Sequence, residues 1–203
     1  MSQKSIRVKL SKDTLADLKE FGYSMCFAKK VNGVYNVIWK ATKEYLQNTT
    51  FSWEPKYKVF ATNTYEANVK VTTDTDPVTV MLGQQCTLNV HGILEDAVTR
   101  IPSNNKECVT IINEYGNIHS GISQVCKIND KEEITPIYVS KEARVIGEIE
   151  LEPKECVMVW FEANVETSTI FETAKTNAQL LDLTDKDTWT IGYDSKTGNW
   201  SIL

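Results

Sequence analysis

A chain of 203 residues with 41% hydrophobic and 24% charged side chains can bury a core without disulfides or metals, and its composition excludes disorder and coiled coil. With 22 Lys and Arg against 27 Asp and Glu the net charge is −5, and only Arg7, Arg100 and Arg144 carry guanidinium groups. Arg reads phosphates and base edges, and no basic run is interleaved with aromatics, so a nucleic-acid partner is disfavoured.

Val, Ile and Thr number 18, 16 and 22, against 10 Ala and 12 Leu. β-branched side chains suit a pleated sheet, whereas Ala and Leu favour helix, so the chain is expected to be mainly β. Ile6, Val8 and Leu10 alternate with Arg7 and Lys9, the pattern of a first strand. Ser11 to Gly22 carries the helix signal: Ser11 as N-cap, Asp13 in the first turn, Leu15, Leu18 and Phe21 on one stripe, Gly22 past the end.

Asn32-Gly33 between aromatic and β-branched runs at 23–30 and 34–41 predicts a hairpin through a type I′ turn. One helical turn is expected at 42–47. From Tyr57 to Val71 alternation predicts one long strand with a buried and a wet face, bent near Asn63. Asp76-Pro77 and Gly83 punctuate two short strands at 78–82 and 86–90. Residues 95–107, with Pro102-Ser103-Asn104-Asn105, are the most loop-like stretch and the place where a two-lobe division of a single domain, 1–203, would fall.

Further strands are expected at 109–113, 118–128, 134–140, 143–151, 156–165 and 180–183. A closing hairpin at 188–194 and 199–203 turns over Ser195-Lys196-Thr197-Gly198. Cys156 to Phe161 is apolar at both parities, which marks a central strand covered on both faces. A series of short strands with turn signals every 8–12 residues predicts an antiparallel β-sandwich or flattened barrel with one short N-terminal helix.

No apolar run approaches the ~20 residues of a membrane-spanning helix, and no secretory leader is recognisable, so the expected setting is the cytosol or release without a secretory signal. Five Cys at wide spacing, never as CxxC, read as reduced thiols. His91 and His119 fall in no hydrolase or metalloprotease motif. Asp182, Asp185 and Asp187 lack the Gly and distal Glu of an EF-hand loop and read as a polar turn. No cofactor, metal or catalytic set is expected.

The remaining lead is aromatic. Phe51-Ser52-Trp53-Glu54-Pro55-Lys56-Tyr57 places a Trp and a Tyr around a Pro, and such rings with nearby amides suit sugar rings or lipid headgroups. Trp53, Tyr57 and Asn63 are therefore the candidate binding residues. Faces rich in Thr point the same way: 49–50, 62–64 and 72–73, and the Thr167-Ser168-Thr169 run. The expected function is non-enzymatic recognition of a glycan, lipid headgroup or protein partner, lectin-like or toxin-like. Alternatives are a carbohydrate-active hydrolase or lyase on a β scaffold, and a self-assembling structural protein.

Overall fold

A computed structural model describes residues 3–100 and 106–203; part of the predicted 95–107 loop therefore lies outside the described residues. In chain order the elements are β1 (Lys4–Leu10), α1 (Lys12–Glu20), β2 (Tyr23–Val31), β3 (Lys40–Thr42), β4 (Asn48–Thr62), β5 (Val78–Val80), β6 (Gln84–Leu88), β7 (Val98–Thr99) and β8 (Val109–Asn113). They continue with β9 (His119–Ile128), β10 (Lys131–Val139), β11 (Gly147–Leu151), β12 (Pro153–Ala163), β13 (Gln179–Asp182), β14 (Thr188–Asp194) and β15 (Asn199–Ile202). Among the described residues the fold is mainly β with one short helix.

The strands form three sheets. The largest runs β10-β9-β4-β1-β14-β15, with β5 also on β4; the others run β11-β8-β6-β7 and β13-β12-β2-β3. Among the described residues none closes on itself, so no flattened barrel is formed there. Most pairs are antiparallel, yet β1 lies parallel to β14 and β6 parallel to β8. Alternation of side chains reports which face is buried, not the direction of the neighbouring strand.

Local chemistry explains several boundaries. The Ser11 hydroxyl accepts the Thr14 N–H at the start of α1, and Gly22 takes φ 68° just past its C-cap. Of the predicted apolar stripe Leu18 is buried and Leu15 half-buried, but Phe21 is 68% exposed. Asn32 and Gly33, at φ 48° and 83°, make the expected turn, and Val31 and Val34 exchange both backbone bonds across it. The returning chain leaves the sheet until β3, because Val37 bridges Ile170 instead.

The long strand is displaced from its predicted span. Upstream, Asn48–Trp53 is strand because it pairs with β1. Downstream, the ladder ends at Thr62: Asp74 accepts the Thr62 hydroxyl and the Asn63 N–H, and Thr75 Oγ1 accepts the Ala61 N–H. Side-chain oxygens there take the place of a neighbouring strand. The irregularity falls between Trp53 and Tyr57, not near Asn63, and Glu54-Pro55-Lys56 bulges out of register with β9. Pro55 has no N–H to give a ladder, which suits it to a bulge.

One hydrophobic cluster draws from all three sheets, with Ile6, Val8, Phe51, Tyr57, Ile111, Ile122, Val157 and Val159 among its members. β12 is central between β13 and β2, as its sequence predicted. Val157 and Val159 enter the main cluster, while Met158 and Trp160 join Cys26, Ala28, Ile38 and Phe171 on the opposite face. Gly121 in β9 lies under Phe60, whose ring would be 2.1 Å from an added Cβ, so only glycine fits. No helix among the described residues is long and apolar enough to cross a membrane.

Candidate functional site

Where α1, the start of β2, the end of β12 and the end of β14 converge, a cleft of about 520 Å³ opens. Asp17, Phe21 and Tyr23 line one side; Phe161, Glu162, Lys175, Asn177, Tyr193 and Ser195 line the rest. The position of Tyr193 and Ser195 follows from the β14–β15 hairpin, and that of Asp17 from the docking of α1 through Leu18.

The aromatic wall is built in layers. Phe161 stacks on Trp200 with centroids 5.6 Å apart and planes 5° from parallel, and Tyr193 closes on both at 4.9 and 4.8 Å. Trp200 is anchored by its indole N–H, which donates to the Asn177 carbonyl at 2.9 Å. The Phe161 and Tyr193 rings are half-buried, so each offers a body to the cleft while its far side is packed.

The polar groups are held as firmly. Glu162 accepts the Trp160 indole N–H at 2.7 Å and the Lys175 ammonium at 2.9 Å. Lys175 also lies over the rings of Phe171 and Trp160, at 5.1 and 5.7 Å from their centroids. Across the cleft Asp17 accepts the Ser195 hydroxyl at 2.7 Å. Both carboxylates thus have fixed orientation and spare lone pairs. Burial raises the Tyr193 hydroxyl above its ordinary range, so it stays a protonated donor.

The residues singled out from sequence lie elsewhere: Trp53 and Tyr57 share the main hydrophobic cluster, and Asn63 stands apart from it. Trp53 and Tyr57 are buried on β4, on either side of its bulge, while Asn63 is exposed beyond the strand end with its N–H on Asp74. The Tyr57 hydroxyl is buried without a hydrogen-bond partner. Trp53 touches a second cavity, of about 370 Å³, whose lining includes Lys4, Pro55, Leu82, Pro153 and Glu155. Within that lining Glu155 accepts the Trp53 indole N–H at 2.8 Å and the Lys29 ammonium at 2.9 Å. Lys29 is completely buried, and burial lowers its pKa to about 8 despite the carboxylate.

His119 Nδ1 is 2.8 Å from the Ser140 carbonyl oxygen and its ring stacks on Tyr65; His91 is exposed in a turn. Asp182 accepts the Thr184 N–H and Asp187 pairs with Lys4, as a polar turn would have them. The five cysteines are free thiols. Sequence reasoning missed the cleft because Asp17, Glu162, Asn177 and Tyr193 come from four separate segments. The one available signal was the density of aromatics in the last hairpin and the end of the central strand. Comparison with family models, with curated proteins and with solved structures finds no match, so the cleft is read from its own chemistry.

Proposed function

We propose that the protein is a non-catalytic recognition module, its sheets layered as a sandwich, which binds the ring of a neutral sugar in the cleft between α1 and the β14–β15 hairpin. One observation carries this reading: packed aromatic rings and pre-oriented carboxylates face the same opening. A sugar ring offers apolar C–H faces to Phe161 and Tyr193 and hydroxyls to Asp17, Glu162 and Asn177. Because Ser195 and Trp160 already hold the carboxylates in place, little side-chain entropy is lost on binding.

A glycan array followed by titration calorimetry tests this. A sugar ligand is expected, with affinity lowered at least about tenfold by Asn177→Ala or Tyr193→Ala; Asn177→Ala should leave the melting temperature unchanged, whereas Tyr193→Ala should also lower it, because that ring packs on Phe161 and Trp200. An array without hits would overturn it. A hydrolase is the second reading, favoured by two carboxylates on one cleft. Turnover of a glycoside that disappears in Glu162→Gln would establish that reading in place of simple binding.

A further inference from the structure

β11 is an edge strand, and part of its outer edge is already occupied. At its C-terminal end Asn32 stands in for a neighbouring strand. Its Nδ2 donates to the Glu150 carbonyl, its Oδ1 accepts the Glu152 N–H, and its own N–H donates to the Glu152 carbonyl. Ahead of β11, Arg144 and Ile118 exchange both backbone bonds. Residues two apart in a strand direct their backbone groups alike, so those of Glu148 point the same way as those of Glu150. The Glu148 N–H and C=O and the Glu150 N–H are left on an edge that no strand pairs among the described residues, a gap the length of one residue.

Glu148 and Glu150 line a cavity of about 390 Å³ together with Ser120, Tyr138, Ser140 and Arg144. Ser120 is only 1% exposed, and its buried hydroxyl has no hydrogen-bond partner, which costs free energy until an acceptor is supplied. Ser140 Oγ accepts the Ser120 N–H, so its own proton remains to be donated. Burial raises the Tyr138 hydroxyl above its ordinary range, against the opposing Asn32 amide and Arg144 guanidinium, so it too stays a donor. Arg144 forms no ion pair among the described residues. Three hydroxyls and a guanidinium thus border one polar cavity, a set suited to a carboxylate.

Charge narrows the class further. Glu148 and Glu150 share one cation, Arg100, at 2.7 Å from the first and 3.5 Å from the second, so Glu150 keeps acceptor capacity. With Arg144 the four charges cancel, and a ligand carrying both signs leaves that balance intact where a bare anion does not. We infer that this cavity holds a free α-amino acid, its carboxylate on Arg144 and the Ser120, Ser140 and Tyr138 hydroxyls, its ammonium on the Glu148 carbonyl and the Glu150 carboxylate. Such a ligand is one residue long and meets the strand edge as a residue of a neighbouring strand would. The cavity shares no lining residue with the sugar cleft.

The test is a thermal-shift screen of the full chain against the free L-amino acids, with every hit titrated by calorimetry. At least one should bind, and its N-acetyl and carboxamide derivatives should each bind at least about tenfold more weakly, since each removes one charge. Arg144→Ala and Tyr138→Phe should each lower the affinity at least about tenfold. Asn177→Ala, in the sugar cleft, should leave it unchanged. Should Tyr138→Phe melt early, Ser120→Ala is read in the same titration, with the same loss expected. No binding of any amino acid at about 10 mM, equal binding of either derivative, or full binding by Arg144→Ala would each overturn the proposal.

Discussion

Two Trp–Glu–Lys sets hang from the two ends of β12, and the comparison between them shows how the same parts behave in different surroundings. At one end Glu155 holds Trp53 and Lys29; at the other Glu162 holds Trp160 and Lys175. In each the cation also lies over two aromatic rings: Trp39 and Trp53 for Lys29, Phe171 and Trp160 for Lys175. The parts are the same, and the surroundings differ. Lys29 is wholly out of water behind its cavity, whereas the Lys175 side chain keeps 12% exposure on an open cleft. The first set has its cation sealed inside the core; the second has its cation and carboxylate at the edge of an opening.

The largest expected effects belong to the buried set. Glu155→Ala should cost about 3–5 kcal/mol in urea denaturation, because it strands the fully buried Lys29 ammonium without its partner. Trp53→Ala should cost a similar ~3–5 kcal/mol through its cavity alone. Glu162→Ala should cost only about 1 kcal/mol, since water can reach Lys175. Equal losses at Glu162 and Glu155 would erase the distinction. The pair Lys29→Met/Glu155→Gln should recover most of the stability, because the charges contribute little net once both are gone and the glutamine still accepts the Trp53 indole N–H.

A smaller and more diagnostic effect lies in pH. Lys29 releases its proton near pH 8 in the folded chain, but an unfolded lysine holds it to about 10.5. Between these values the unfolded state binds more protons, so this group's contribution to stability rises with pH. Burial raises the thiols of Cys86 and Cys126 to about 12, and they act oppositely once unfolded thiols begin to ionise near 9. The difference between parent and Lys29→Met therefore isolates the lysine. It should move in the parent's favour from about pH 8 to about pH 10, and a flat difference would refute the burial of a charge there.

The smallest effect is expected at the rim of the cleft. Ser195→Ala removes the hydroxyl on Asp17 and should cost about 1 kcal/mol or less in stability. Its effect on sugar affinity should exceed that, as the freed carboxylate loses its orientation. A stability loss without a change in affinity would assign Ser195 to the fold alone.

How much of this could be read beforehand depends on the range of the interaction. The α1 cap at Ser11, the Asn32-Gly33 turn, the central β12 and the last hairpin were all legible, because each rests on neighbours within a few residues. The span of β4 was not. Asp74 and Thr75 end it from more than ten residues away, and Phe51 becomes strand only because β1 is its partner. Trp53 and Tyr57 looked like a binding pair from their spacing around Pro55, yet both rings are buried in the core.

Composition and periodicity alone determined that this chain is built of strands, which strand is central and where the tight turns fall, since β-branching and left-handed turn residues act locally. Only the tertiary structure decided which strands run parallel, that Lys29 is sealed from water while Lys175 is not, and that Asp17, Glu162 and Tyr193 share one opening. Those outcomes depend on contacts between residues far apart in the chain, and their energies appear only once the sheets have packed.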